Sequence, residues 1–125
     1  MNEFSVKTQV IGTVALVDVI GFLEATANKV LADSLEQLHK QGFLRYVIDF
    51  SGCQVMSSPG IHDLIQFALR LSDTPGGKLV FSGLNAMQTK VFKLVALDTV
   101  ATICPTRVEA LAEAERDGEA APTAP

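Results

Sequence analysis

The sequence reads as a single α/β domain with a mixed central sheet of about five strands and alternating helices. Segments rich in β-branched residues alternate along the chain with segments of helical period, and Gly or Pro stands at the joints. The 125 residues, 48% of them apolar, suffice for one core but not for two. Strand-helix alternation of this kind implies largely parallel pairing through right-handed crossovers.

Phe4, Val6, Thr8 and Val10 alternate at period two, Gly12 breaks the pattern, and Val14 to Val19 resumes it, which predicts a hairpin. From Ala25 to Lys40, Ala27, Val30, Leu31, Leu35 and Leu38 fall at helical spacing, with Gly42 at the C′ position. Arg45 to Phe50 is nearly continuous in apolar residues, the pattern of a strand covered on both faces, and Ser51 to Ser57 is expected to be a loop. Ile61, Leu64, Ile65, Ala68 and Leu71 share one face of a second helix, which Thr74-Pro75-Gly76-Gly77 stops. Lys78 to Ser82 reads as a strand and Gly83 to Asn85 as a turn. Met87, Val91, Leu94 and Val95 supply the expected core face of a third helix. Val100 to Cys104 is expected to be the last strand, and Pro105 to Arg116 a final helix opened by Pro. The domain is expected to span 1–116. Residues 117–125, built from Gly, Ala, Pro, Thr, Asp and Glu, are expected to form a disordered tail.

Composition narrows the function. Ten basic against fourteen acidic residues leave a net charge of −4, which repels a polyphosphate backbone and argues against direct nucleic-acid binding. No apolar run approaches the ~20 residues of a spanning helix, and the start carries no basic and apolar leader, so a cytoplasmic protein without membrane insertion is expected. Cys53 and Cys104 lack the spacing of a zinc or redox motif and read as reduced, small apolar packing residues. No metal site or cofactor is expected. Gly76-Gly77-Lys78 follows a helix and lacks the hydroxyl residue of a P-loop, and nucleotide binding stays undecided.

The informative stretch is Met56-Ser57-Ser58-Pro59-Gly60-Ile61, at the start of the second helix. Pro at a first helical position places Ser58 as the expected N-cap, and Gly60 is expected to leave the first turn open to another molecule. A phosphoryl group on Ser58 would add roughly −1.5 to −2 units of charge to a neutral surface. A Ser-Pro cap without any regulation accounts for the same residues equally well. His62, Asp63 and Gln66 lie within the next turns and are either contacts of a docking surface or an ordinary solvated face. A hydrolase built on Ser58, His62 and Asp63 fails because Asp63 projects about 100° away from His62 around the helix, so no catalytic residues are assigned.

Val47-Ile48-Asp49-Phe50-Ser51-Gly52, followed by Val55-Met56-Ser57-Ser58-Pro59-Gly60-Ile61, resembles the STAS domain of bacterial anti-sigma factor antagonists. The likeness continues upstream in Ile20-Gly21-Phe22-Leu23-Glu24-Ala25, and downstream in Phe81-Ser82-Gly83-Leu84-Asn85 and Ile103-Cys104-Pro105-Thr106. In that family the junction usually reads Asp-Ser-Ser/Thr-Gly; here Ser57 stands in place of the Asp and Pro59 in place of the second hydroxyl residue. The resemblance implies a non-enzymatic partner switch, monomeric when free. Unmodified protein binds an anti-sigma factor/serine kinase through Ser57, Ser58, Pro59, Gly60, His62, Asp63 and Gln66 and so releases a sigma factor. Phosphorylation of Ser58, with Ser57 as second choice, ends that binding, and a serine phosphatase restores it. The family implies an alternative too: a non-phosphorylated docking module, as in ABC lipid-transport accessory subunits or stressosome scaffolds.

Overall fold

The computed structural model describes residues 4–116, so the tail expected at 117–125 lies outside the described residues. Strands β1 (Ser5–Ile11) and β2 (Val14–Leu23) form the hairpin; α1 (Ala25–Lys40), β3 (Arg45–Met56), α2 (Ser58–Ser72), β4 (Lys78–Ser82) and α3 (Ala86–Leu94) follow. A 3-10 turn at Leu97–Thr99 leads into β5 (Thr102–Cys104) and α4 (Arg107–Glu115). The sheet has the order β1-β2-β3-β4-β5, its first pair antiparallel and the rest parallel.

That order fixes the layers. Each parallel strand is added on the same side of the one before, so right-handed crossovers carry α1, α2 and α3 over one face of the sheet. Their buried residues, among them Leu31, Leu35, Leu64, Phe67, Leu71 and Phe92, pack there against Val17, Val19, Tyr46, Ile48, Phe50 and Phe81. The intervening strand positions, Val14, Leu16, Val47 and Val80, face the other way and meet Ala110 and Ala114 of α4, with Ile11, Cys104 and Leu111 packed against them. Helix α1 closes as its sequence suggested. Gly42, at φ 96°, donates to the His39 carbonyl and Phe43 to that of Leu38, satisfying two end carbonyls in a geometry a side chain at 42 would strain.

Several expectations need correction. Ser51 to Met56 is strand rather than loop: β2 runs on to Leu23, and β3 stays paired with it through Ile20↔Gly52, Phe22↔Val55 and Leu23↔Met56, with register shifts between. Gly52 invited the loop reading, yet a Cβ there would lie 3.2 Å from Ile20, so its missing side chain serves a close strand pair. The last strand begins at Thr102, because the 3-10 turn takes up Leu97–Thr99. The final helix is capped by Thr106, whose hydroxyl accepts from the Glu109 N–H, and Pro105 precedes that cap. Val30 is exposed on α1. The core face of α3 differs most: Met87, Leu94 and Val95 are exposed, and Gln88 and Phe92 are buried in their place.

Candidate functional site

Strands β2 and β3 project together beyond the end of β4, and the chain passes from Met56 into α2 through the single residue Ser57. The Ser57 N–H donates to the Leu23 carbonyl at 2.7 Å, tying the junction to β2. Ser57, not Ser58, is the N-cap: its backbone is extended, its hydroxyl accepts from the Gly60 N–H at 3.4 Å and its carbonyl accepts from Ile61. Asp and Ser serve equally well as caps, so Ser57 can cap the helix where the resemblance would place an Asp, without that residue's charge. Pro59 occupies the second helical position, where the N–H it lacks would have no helical partner. Both departures from the family junction are thus compatible with a regular helix start.

Ser58 becomes the first helical residue. It is exposed, and its hydroxyl has no hydrogen-bond partner among the described residues. Pro59 is exposed beside it. Gly60 is buried, which corrects the expectation that it opens the turn to a visitor: a Cβ there would meet Leu23 Cγ at 2.8 Å, so the bare glycine lets α2 sit down on the end of β2. Asn28 on α1 holds the same turn from the other side, its amide donating to the Pro59 carbonyl at 3.3 Å and to Asp63 at 2.7 Å. Asp63 is therefore engaged within the fold. His62 and Gln66 are exposed. The His62 imidazole lies 3.7 Å from Asp63, beyond hydrogen-bond reach, and makes no bond to Ser58, so no nucleophile-base pair forms. Gln66 borders a groove of about 250 Å³ between α1 and α2, where Arg70 pairs with Glu36 at 2.6 Å.

A second groove, of about 240 Å³, opens between the projecting strand ends and α3. It is lined by Gln54, Val55, Met56, Ile61, Met87, Gln88, Val91 and Phe92. Its α3 wall follows from capping chemistry. Asn85 and Gln88 cap one another, the Asn85 side chain accepting from the Gln88 N–H and the Gln88 side chain from the Asn85 N–H. The Gln88 amide then donates to the Cys53 carbonyl at 2.8 Å. Gln88 must point inward to do this, and Met87 and Val91 consequently face the groove. The Asn-x-x-Gln spacing was the available signal for this rotation.

Behind the site, Asp49 is buried at the end of the β4-paired part of β3. Burial works to raise its pKa, but hydrogen bonds from the Ser51 hydroxyl and N–H, from Ser82 and from Arg107 outweigh it and hold the carboxyl below its usual range. Arg107 also pairs with Asp18. Burial pushes both cysteine thiols up, away from the reactive thiolate. Among the described residues no cluster of His, Cys, Asp or Glu could hold a metal, and no helix is long and apolar enough to cross a membrane.

The family model for the STAS domain matches residues 5–110. This chain belongs to the STAS domain family. Solved STAS structures share the fold across most of their length. An anti-sigma factor antagonist from Mycobacterium paratuberculosis is 19% identical with a TM-score of 0.79, over 91% of this chain and 96% of that one. The Bacillus cell fate determinant SpoIIAA in its phosphorylated form is 18% identical, TM-score 0.68, over 89% and 98%. A sulfate transporter family protein from Wolinella succinogenes is 17% identical, TM-score 0.66, over 86% and 88%. At these identities the likeness establishes the STAS fold. No curated protein matches the chain in sequence.

Proposed function

We propose that this STAS domain is an anti-sigma factor antagonist that binds an anti-sigma factor/serine kinase, frees a sigma factor, and is switched off by phosphorylation of Ser58. The observation that carries the reading is the division of labour at the α2 start: Ser57 caps the helix while the Ser58 hydroxyl stands exposed and unpartnered. A kinase can therefore take Ser58 without uncapping α2. In the transfer, Ser58 Oγ bonds to the γ-phosphorus of ATP, the bond to the ADP oxygen breaks, and the hydroxyl proton leaves to a base on the kinase. A dianion at the first helical residue is favoured by the helix dipole, so the fold survives while the docking surface becomes anionic. The chain itself performs no chemistry in this scheme. It acts in the cytoplasm, as a monomer when free, and a serine phosphatase restores it. Neighbours of the same fold named anti-sigma factor antagonists, SpoIIAA among them, and a structure of SpoIIAA in its phosphorylated form support the reading.

The test is incubation with ATP and the GHKL-type serine kinase encoded nearest to this gene. One phosphate mapping to Ser58, absent in Ser58→Ala, with kinase binding lost on modification, is the expected result. Absence of phosphate on both Ser57 and Ser58 overturns the switch and leaves a passive docking module.

A further inference from the structure

The exposed apolar residues of α3 stand apart from the rest of the surface. Met87 is 68% exposed, Leu94 78% and Val95 39%, and with half-buried Val91 they follow one another at helical spacing along one stripe. Stripes of this kind ordinarily face a core, and the buried Gln88 amide keeps this one outward. At its near end the stripe runs into the groove beside Val55, itself 53% exposed. The groove ends one helical turn short of the proposed phosphoacceptor: Ile61 lines it, and Ser58 lies three residues before Ile61 on the same side of α2.

Charge indicates what fits there. The charged residues of α3 are Lys90 and Lys93, both exposed and without an ion-pair partner among the described residues, in a chain whose net charge is −4. Lys90 flanks the stripe, about 40° beyond Leu94 in helical projection, and Lys93 lies further round, about 100° from Leu94. The surface is thus apolar, edged by the Lys90 cation on one flank, with the Ser58 hydroxyl one helical turn beyond its end. A net anionic chain with a nine-residue α3 is poorly suited to an anionic lipid surface, whereas an amphipathic helix matches both the width of the stripe and its charge.

We propose that the α3 stripe and its groove are the second half of the docking surface, and that they take an apolar helix face of the anti-sigma kinase bordered by Asp or Glu. This rests on the reading of Ser58 given above and adds the reason phosphate is effective there: the dianion appears at the edge of a surface selected for a carboxylate-bordered partner, and repels it.

The experiment measures affinity of the same GHKL-type kinase, by calorimetry at low and high salt, for the wild type, Ser58→Asp, Met87→Ser/Leu94→Ser and Lys90→Glu/Lys93→Glu. All four altered α3 side chains or their neighbours are exposed, and unchanged thermal melting confirms that the variants fold. The apolar pair is expected to lose about tenfold or more in affinity at both salts, and the lysine pair about tenfold at low salt and less at high salt. If Ser58→Asp abolishes binding while both pairs bind as wild type, this inference is overturned and the proposed function stands. If the wild type neither binds the kinase nor accepts phosphate, the proposed function falls and this inference with it. Self-association of the chain, or binding to equimolar phosphatidylglycerol and phosphatidylcholine vesicles, lost in Met87→Ser/Leu94→Ser while kinase binding is kept, would also overturn it.

Discussion

On one side of the sheet Phe50, Phe81 and Phe92 meet with ring centroids 5.0 to 6.0 Å apart, and Tyr46 stands edge-on to Phe67 at 5.0 Å. On the other side α4 offers Ala110, Ala114 and partly buried Leu111, and polar contacts ring this smaller apolar layer. Arg107 reaches Asp18 and Asp49, Lys78 pairs with Glu113 at 3.2 Å, and Arg45 donates to the Glu115 carbonyl at the helix end. The first face is packed by large side chains; the second joins a smaller apolar layer to a rim of ion pairs. The helix that presents Ser58 rests on the first, so the candidate switch is mounted mainly on apolar packing, with the Arg70–Glu36 pair at its exposed edge.

The largest expected effect tests the aromatic face. Phe92→Ala should cost about 3–5 kcal/mol in urea unfolding, because a fully buried ring is removed from a cluster of three. A loss under about 1 kcal/mol would show that face to be loosely packed. Arg107→Ala should cost less, about 1–2 kcal/mol, since Arg107 is partly solvated even though Asp49 is buried. The cost should shrink in high salt, whereas that of Phe92→Ala should not.

The acid limb separates the faces further. The folded-state pKa of Asp49 is lowered, so its contribution is complete above the ordinary carboxylate pKa of about 4 and is lost as pH falls through the lower folded value. Wild-type stability should therefore decline below about pH 4, and Asp49→Asn should flatten that decline. An unchanged acid limb in the variant would assign the decline to other carboxylates. The smallest difference is within the α2 start: Ser57→Ala should cost about 1 kcal/mol by losing the cap, and Ser58→Ala no more than about 0.5 kcal/mol. Equal costs would contradict the division between the two hydroxyls.

The elements that were legible in the sequence are those whose local signals agree. Helix α1 and strand β4 have the predicted limits because period, glycine and turn residues all end them at the same place. The end of β3 was hidden, because whether Ser51 to Met56 is strand depends on how far β2 runs beside it. The α3 face was misread because apolar spacing alone favours Met87, Val91, Leu94 and Val95, while the tertiary bond from Gln88 to Cys53 decides the rotation. At the site, Ser57, Ser58 and the α2 start were found, but the cap fell one residue earlier, since Pro is tolerated at the second helical position as well as the first. Gly60 and Asp63 looked available on sequence alone; their engagement with Leu23 and Asn28 depends on residues more than thirty positions away.

Gln88 is fastened at both ends of its amide, which favours holding the side chains of α3 outward when the chain is idle. An idle copy carries that sticky strip through a crowded cell, where it invites adventitious company. Under the docking proposed above, stoichiometry follows: copy number should closely track that of the binding mate, so that few molecules circulate unoccupied.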